Sequence, residues 1–162
     1  MRIVKNILVC YITALTIFIL TSNLHAATLT IGSASGSPGN KNISIPVELT
    51  SAPGEKVCGF NFDLCFDTSK LSFKEVALGS VAVGAGKSLS FNQPSSNIIR
   101  VVVIGLNQNL IGDGTVLTFS FDILDNAPVG KSALTITKAS ISDPNGKALP
   151  VNIEGVELSI LK

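Results

Sequence analysis

The sequence predicts an all-β fold, a sandwich or barrel built from short strands. Two observations carry this. Segments of alternating polarity recur along the chain, broken roughly every 8 to 15 residues by Gly, Pro, Asn and Asp, and none repeats its apolar residues at the helical period. The run from Gly112 to Gly130 is the clearest of them: a Gly-Asp-Gly turn launches a strand in which Leu117, Phe119, Phe121 and Ile123 share one face. Thr118, Ser120 and Asp122 fall on the other, and Asn126-Ala-Pro-Val-Gly130 ends the run, since proline lacks an N–H and glycine supplies unusual dihedrals.

The elements follow in order. Residues 1–26 have the layout of a secretory signal peptide: Arg2 and Lys5 form a basic head, Ile7 to Leu20 is uncharged and apolar, and Leu24-His25-Ala26 offers a small residue for cleavage. The apolar run is short for a bilayer span of roughly 20 residues, so cleavage and secretion are expected, with retention as an N-terminal anchor the alternative. Residues 27–162 then form one domain. Thr28–Gly32 reads as a strand, Ser35–Asn40 as a turn, and Lys41–Leu49 alternates through Ile43, Ile45, Val47 and Leu49. Cys58–Phe66 carries Phe60, Phe62, Leu64 and Phe66 on one face. Leu71–Val76 and Ser88–Asn92 are shorter, and Gly79–Ser90 reads as a mobile, small-residue stretch. Ile98–Ile104 is β-branched, Thr115–Leu124 and Ser132–Ala139 follow, and Ser142–Gly146 is the turn of a closing hairpin that leads to Val156–Leu161.

Composition excludes several functions. Of 12 basic residues Arg2 and Lys5 leave with the leader, so the mature chain is close to neutral against 11 acidic residues. It has no basic stripe for nucleic acid or an anionic membrane. The one His and one Tyr, His25 and Tyr11, lie in the leader, and Trp is absent. The mature chain therefore lacks an imidazole for nucleophile activation or metal ligation. Asp63 and Asp122 could serve as a glycosidase pair if they lie on neighbouring outward faces, but outward strand carboxylates are far more often solvated surface. The expectation is a protein without catalytic activity, cofactor or metal site.

The order and spacing of several segments resemble the bacterial cohesin domain. They are Ile31–Gly39 followed by Ile43–Leu49, Gly59-Phe-Asn-Phe-Asp-Leu-Cys-Phe-Asp67 followed by Leu71, Ile99–Val103, Gly114-Thr-Val-Leu-Thr-Phe119, Ala127-Pro-Val-Gly130, and Asp143-Pro-Asn-Gly146 before the last strand. The resemblance covers residues 28–161. It implies an antiparallel β-sandwich of jelly-roll topology with about nine strands, and a secreted role in polysaccharide breakdown. The implied partner is a dockerin-bearing enzyme, with any calcium belonging to the dockerin. One domain without a dockerin or surface-anchoring module implies a lone adaptor and not a multi-cohesin scaffold.

The resemblance also implies a receptor face on the third, fifth and sixth strands, here taken as Cys58–Phe66, Ile98–Ile104 and Thr115–Leu124. Its candidate contacts are Asn61, Asp63, Arg100, Val102, Ile104, Val116, Thr118 and Ser120: an apolar centre with a polar rim. Asn61 and Asp63 match an Asn and Asp placed two apart in cohesins, whereas alignment on Phe66-Asp67 puts Gly59 and Asn61 there instead. The competing reading buries Ile98–Ile104 on both sides under a loop.

Direct binding of polysaccharide is the alternative function, and the lack of Trp and Tyr weighs against it, because sugar sites commonly stack on such rings. Five of the phenylalanines share the inward parity of their strands, and Phe73 and Phe91 read as core or edge packing. A subunit that polymerises through strand edges is a third reading. Cys58 and Cys65 have opposite parity and span about 23 Å of strand, beyond the roughly 7 Å between Cα atoms that a disulfide allows. Cys65 is then either a reactive outward thiol or an inert, partly buried one.

Overall fold

The computed structural model describes residues 26–162; the leader reading falls on residues outside these, apart from Ala26. Among the described residues the chain forms β1 (Ala27–Ile31), β2 (Ser35–Gly36), β3 (Ile43–Thr50), β4 (Gly59–Phe66), β5 (Leu71–Leu78), α1 (Ser80–Gly84), β6 (Ser88–Ser95), β7 (Ile98–Ile104), β8 (Gly114–Ile123), β9 (Gly130–Ser142), β10 (Ala148–Leu149), β11 (Val151–Glu154) and β12 (Val156–Ile160). Two sheets stack as a sandwich. One has the order β11-β1-β3-β8-β5 and the other β2-β12-β9-β4-β7-β6, with β10 paired to β9. The expected all-β sandwich is present, with the short β2, β10 and β11 added to the nine expected strands. The main ladders are antiparallel, while β1–β11 and β2–β12 pair in parallel.

Alternation builds the core. Leu117, Phe119, Phe121 and Ile123 of β8 are fully buried and meet Phe60, Phe62, Leu64 and Phe66 of β4 from the facing sheet. Phe62 lies 6.2 Å from Phe119 and Phe66 lies 5.0 Å from Phe121, the latter edge-on, a favoured geometry for aromatic pairs.

Local features depart from simple alternation. The β3–β8 register steps from Val47↔Leu117 to Glu48↔Thr115, so Val116 is the extra residue of a bulge and is buried in the core. The stretch expected to be mobile holds α1, which packs against β8. A Cβ on Gly79 would lie 2.0 Å from the Thr115 carbonyl oxygen, so the close approach of helix and strand requires glycine there. The hairpin at Asp143–Gly146 forms, but β11 then crosses to the other sheet before β12 returns. Two edges carry register shifts, in β5 at Lys74 and in β6 at Gln93-Pro94.

Candidate protein-docking face

The outward side of β6, β7, β4 and β9 forms an exposed face, and the register arranges it in rows. Ser90, Val102, Asn61 and Ser140 lie side by side, then Asn92, Arg100, Asp63 and Thr137, then Ile98, Cys65 and Thr135. Ile104 ends β7 at the rim and is 58% exposed. Asn61 and Arg100 are exposed and Val102 is half-buried, so β7 is covered on its inner side only and the reading that buried it on both sides does not hold.

Asp63 sits at the centre, covered by its neighbours. Arg100 Nε donates to its Oδ1 at 2.7 Å and Nη2 to its Oδ2 at 2.8 Å, a bidentate fork. Lys138 Nζ stands 3.4 Å from Oδ2. The side chain of Asp63 is 2% exposed, against 44% for Arg100 and 73% for Lys138. Hydrogen bonds from Arg100 hold the Asp63 carboxyl below its ordinary range, against desolvation, which pushes the other way; the charges of Arg100 and Lys138 reinforce the lowering. The same contact raises Arg100.

Lys138 was not among the expected site residues. Its number has the inward parity of Leu134 and Ile136, yet the β4–β9 register shifts between Asn61 and Asp63. Lys138 takes φ +52° at this irregularity and turns toward Asp63. A lysine at an apolar parity was the one sequence signal of the bulge.

The structure brings together Asn61, Asp63, Arg100, Val102 and Ile104 and separates them from Val116, Thr118 and Ser120. The latter three belong to β8, which inserts between β3 and β5 in the opposite sheet. Counted without the two-residue β2, the fifth and sixth strands are Ser88–Ser95 and Ile98–Ile104. The polar strand Ser88–Ser95 takes the place assigned to Thr115–Leu124, because the chain crosses between sheets after β7. Val116 is in the core, Ser120 is 9% exposed and Thr118 is half-buried, so the even side chains of β8 offer no open surface.

The Asp63–Asp122 pair is likewise separated, one on each outer side of the sandwich. Asp122 accepts the Asn42 backbone N–H at 3.0 Å and pairs with Lys74 at 3.1 Å and Lys41 at 3.6 Å. The Asn42 hydrogen bond chiefly holds its carboxyl below the ordinary range. Both acids are held as structural anions.

Elsewhere, a cleft of about 310 Å³ opens between β5 and β6 near Phe66, Phe73, Gln93 and Ser96, with no carboxylate or imidazole in its lining. Phe73 packs on the core and meets Phe91 edge-on at 6.0 Å, which places Phe91 at the sheet edge and not on the docking face. Cys58 and Cys65 are free thiols. Cys65 is half-buried, 3.7 Å from Thr137 Oγ1. Among the described residues no cluster of His, Cys, Asp or Glu is placed to hold a metal, and no helix is long and apolar enough to cross a membrane.

Comparison with known proteins places this architecture. The family model described as the cohesin domain matches residues 27–160. The fold is similar to that of the sixth cohesin of scaffoldin B from Acetivibrio cellulolyticus, solved in complex with a mutant Cel5 dockerin; identity is 19%, coverage 84% of this chain and 99% of that one, and the TM-score 0.76. It is also similar to CaCohA2 from Clostridium acetobutylicum, at 23% identity, 84% and 91% coverage and TM-score 0.73. A non-cellulosomal cohesin from the hyperthermophilic archaeon Archaeoglobus fulgidus is 25% identical, with 85% and 92% coverage and TM-score 0.71. No curated protein matches the sequence. The match over nearly the whole described chain shows that it belongs to the cohesin domain family.

Proposed function

We propose that this domain is a secreted, non-catalytic receptor whose β6–β7–β4–β9 face docks a dockerin carried by a polysaccharide-active enzyme. The observation that carries the reading is the face itself: an open sheet surface of this family's fold, with Val102 and Ile104 as apolar contacts around a pre-formed Asp63–Arg100 ion pair. An apolar patch within a polar surround is the composition of a modest interface. The Acetivibrio cohesin was solved with a dockerin, as was CaCohA2. Residues 1–26 act as the secretion signal in this reading, and 27–162 as the exported receptor.

Calorimetric titration of the folded domain with purified, calcium-loaded dockerins from the same organism tests the proposal. Saturable binding is expected, and its absence at micromolar concentration with every dockerin would overturn it. Soluble glucans and xylans in the same assay should give no saturable heat. In a dockerin that binds, Val102→Asp should weaken affinity by roughly 2 kcal/mol, because it sets a charge into the apolar centre, with an unchanged circular dichroism spectrum. Unaltered affinity would move the contact off this face.

A further inference from the structure

We infer that the docking face reads its partner through a cationic pair, Arg100 and Lys138, and selects a partner surface that presents carboxylates. The inference deepens the docking reading above and rests on it for the identity of the partner. Asp63 is the inner anchor of the pair and makes no contact of its own with the partner.

Both Asp63 oxygens are already engaged, Oδ1 by Arg100 and Oδ2 by Arg100 and Lys138. At 2% exposure that carboxylate has almost no surface left to offer. Its cations are in the opposite position. A guanidinium has five N–H donors and an ammonium three; Asp63 takes two from Arg100 and faces one from Lys138. The remaining donors belong to side chains that are 44% and 73% exposed.

The anchoring has an energetic consequence. A free arginine loses rotamer freedom when it is captured, whereas Arg100 is already fixed by its fork on Asp63, so a partner has less ordering to supply. The fork also leaves the guanidinium plane in one orientation, suited to a second carboxylate. Two cations stand against one carboxylate, and the other members of the three rows are neutral, so the face keeps an uncompensated positive charge at its centre. A partner lysine or arginine brought against it would meet like charge, which discriminates against basic surfaces.

The test titrates the folded domain and its Lys138→Glu variant, at low ionic strength, with a short glutamate-bearing peptide and its lysine-substituted counterpart. Nuclear magnetic resonance follows the Arg100 Nε–H and Lys138 signals. The glutamate peptide should shift both saturably and the lysine peptide neither, and Lys138→Glu should weaken the glutamate peptide about tenfold. Preference for the lysine peptide, or indifference to Lys138→Glu, would overturn the inference. A dockerin bound equally well by both proteins would overturn the charge preference and leave docking intact. Capture of the glutamate peptide with no dockerin bound would overturn the dockerin reading and uphold the cationic pair.

Discussion

Alternation places Asp63 on the solvent side of β4, yet Arg100 and Lys138 lie across it and seal it from water. Parity predicts which way a side chain leaves the backbone; burial depends also on what neighbouring strands lay over it. Ser132 of β9 is the converse case. It points inward opposite Leu158, is fully buried, and its hydroxyl has no hydrogen-bond partner. A buried unpaired hydroxyl is a net cost, so Ser132→Ala should stabilise the domain by about 1 kcal/mol, read as a higher denaturant midpoint. A loss of stability instead would mean that the hydroxyl is satisfied in solution.

At the scale of elements, α1 depends on one contact. Gly79 accepts the Val83 N–H and donates its own to the Val116 carbonyl, which fastens the turn to β8. Gly79→Ala should cost about 3 kcal/mol, because the clash is with backbone and not with a flexible side chain. Amide exchange at Val83 should lose protection in step; a variant as stable as the parent would disprove the contact. This element was illegible in the sequence, since Ser80–Gly84 is too short to show a helical period. By contrast, Ile98–Ile104 and the apolar faces of β4 and β8 could be read directly, because period-two alternation is a local property. Which strands neighbour one another is not local. The crossover after β7 sends β8 to the other sheet, so Val116, Thr118 and Ser120 left the candidate face although each strand was correctly recognised. The polar Ser88–Ser95 drew no attention for want of an apolar face, and Lys138 entered only through a bulge.

For the molecule as a whole, acid is the sensitive condition. Asp63, Asp67 and Asp122 all hold their carboxyl groups below the ordinary range: Asp63 through Arg100, Asp67 through hydrogen bonds from the Ser69 hydroxyl and N–H, and Asp122 through the Asn42 N–H. A group whose folded pKa is lowered contributes stability above its unfolded value, and that contribution is lost as pH falls through the folded one. The thermal midpoint should therefore hold steady from neutral pH down to about 4 and drop below it, with a smaller drop in Asp63→Asn. A midpoint indifferent to pH between 4 and 2 would contradict these contacts.

The two sheets end in four rims, and each is spoiled for a newcomer. β2 is two residues long and β11 four. The rim of β5 is interrupted at Lys74, and that of β6 at Gln93-Pro94, where proline also removes a donor. A second copy of the chain finds no long unbroken ribbon of free amides to extend, so growth into fibres is blocked at every margin. Light scattering should return the mass of one protomer at any concentration, and a mass that climbs with concentration would show an unguarded rim.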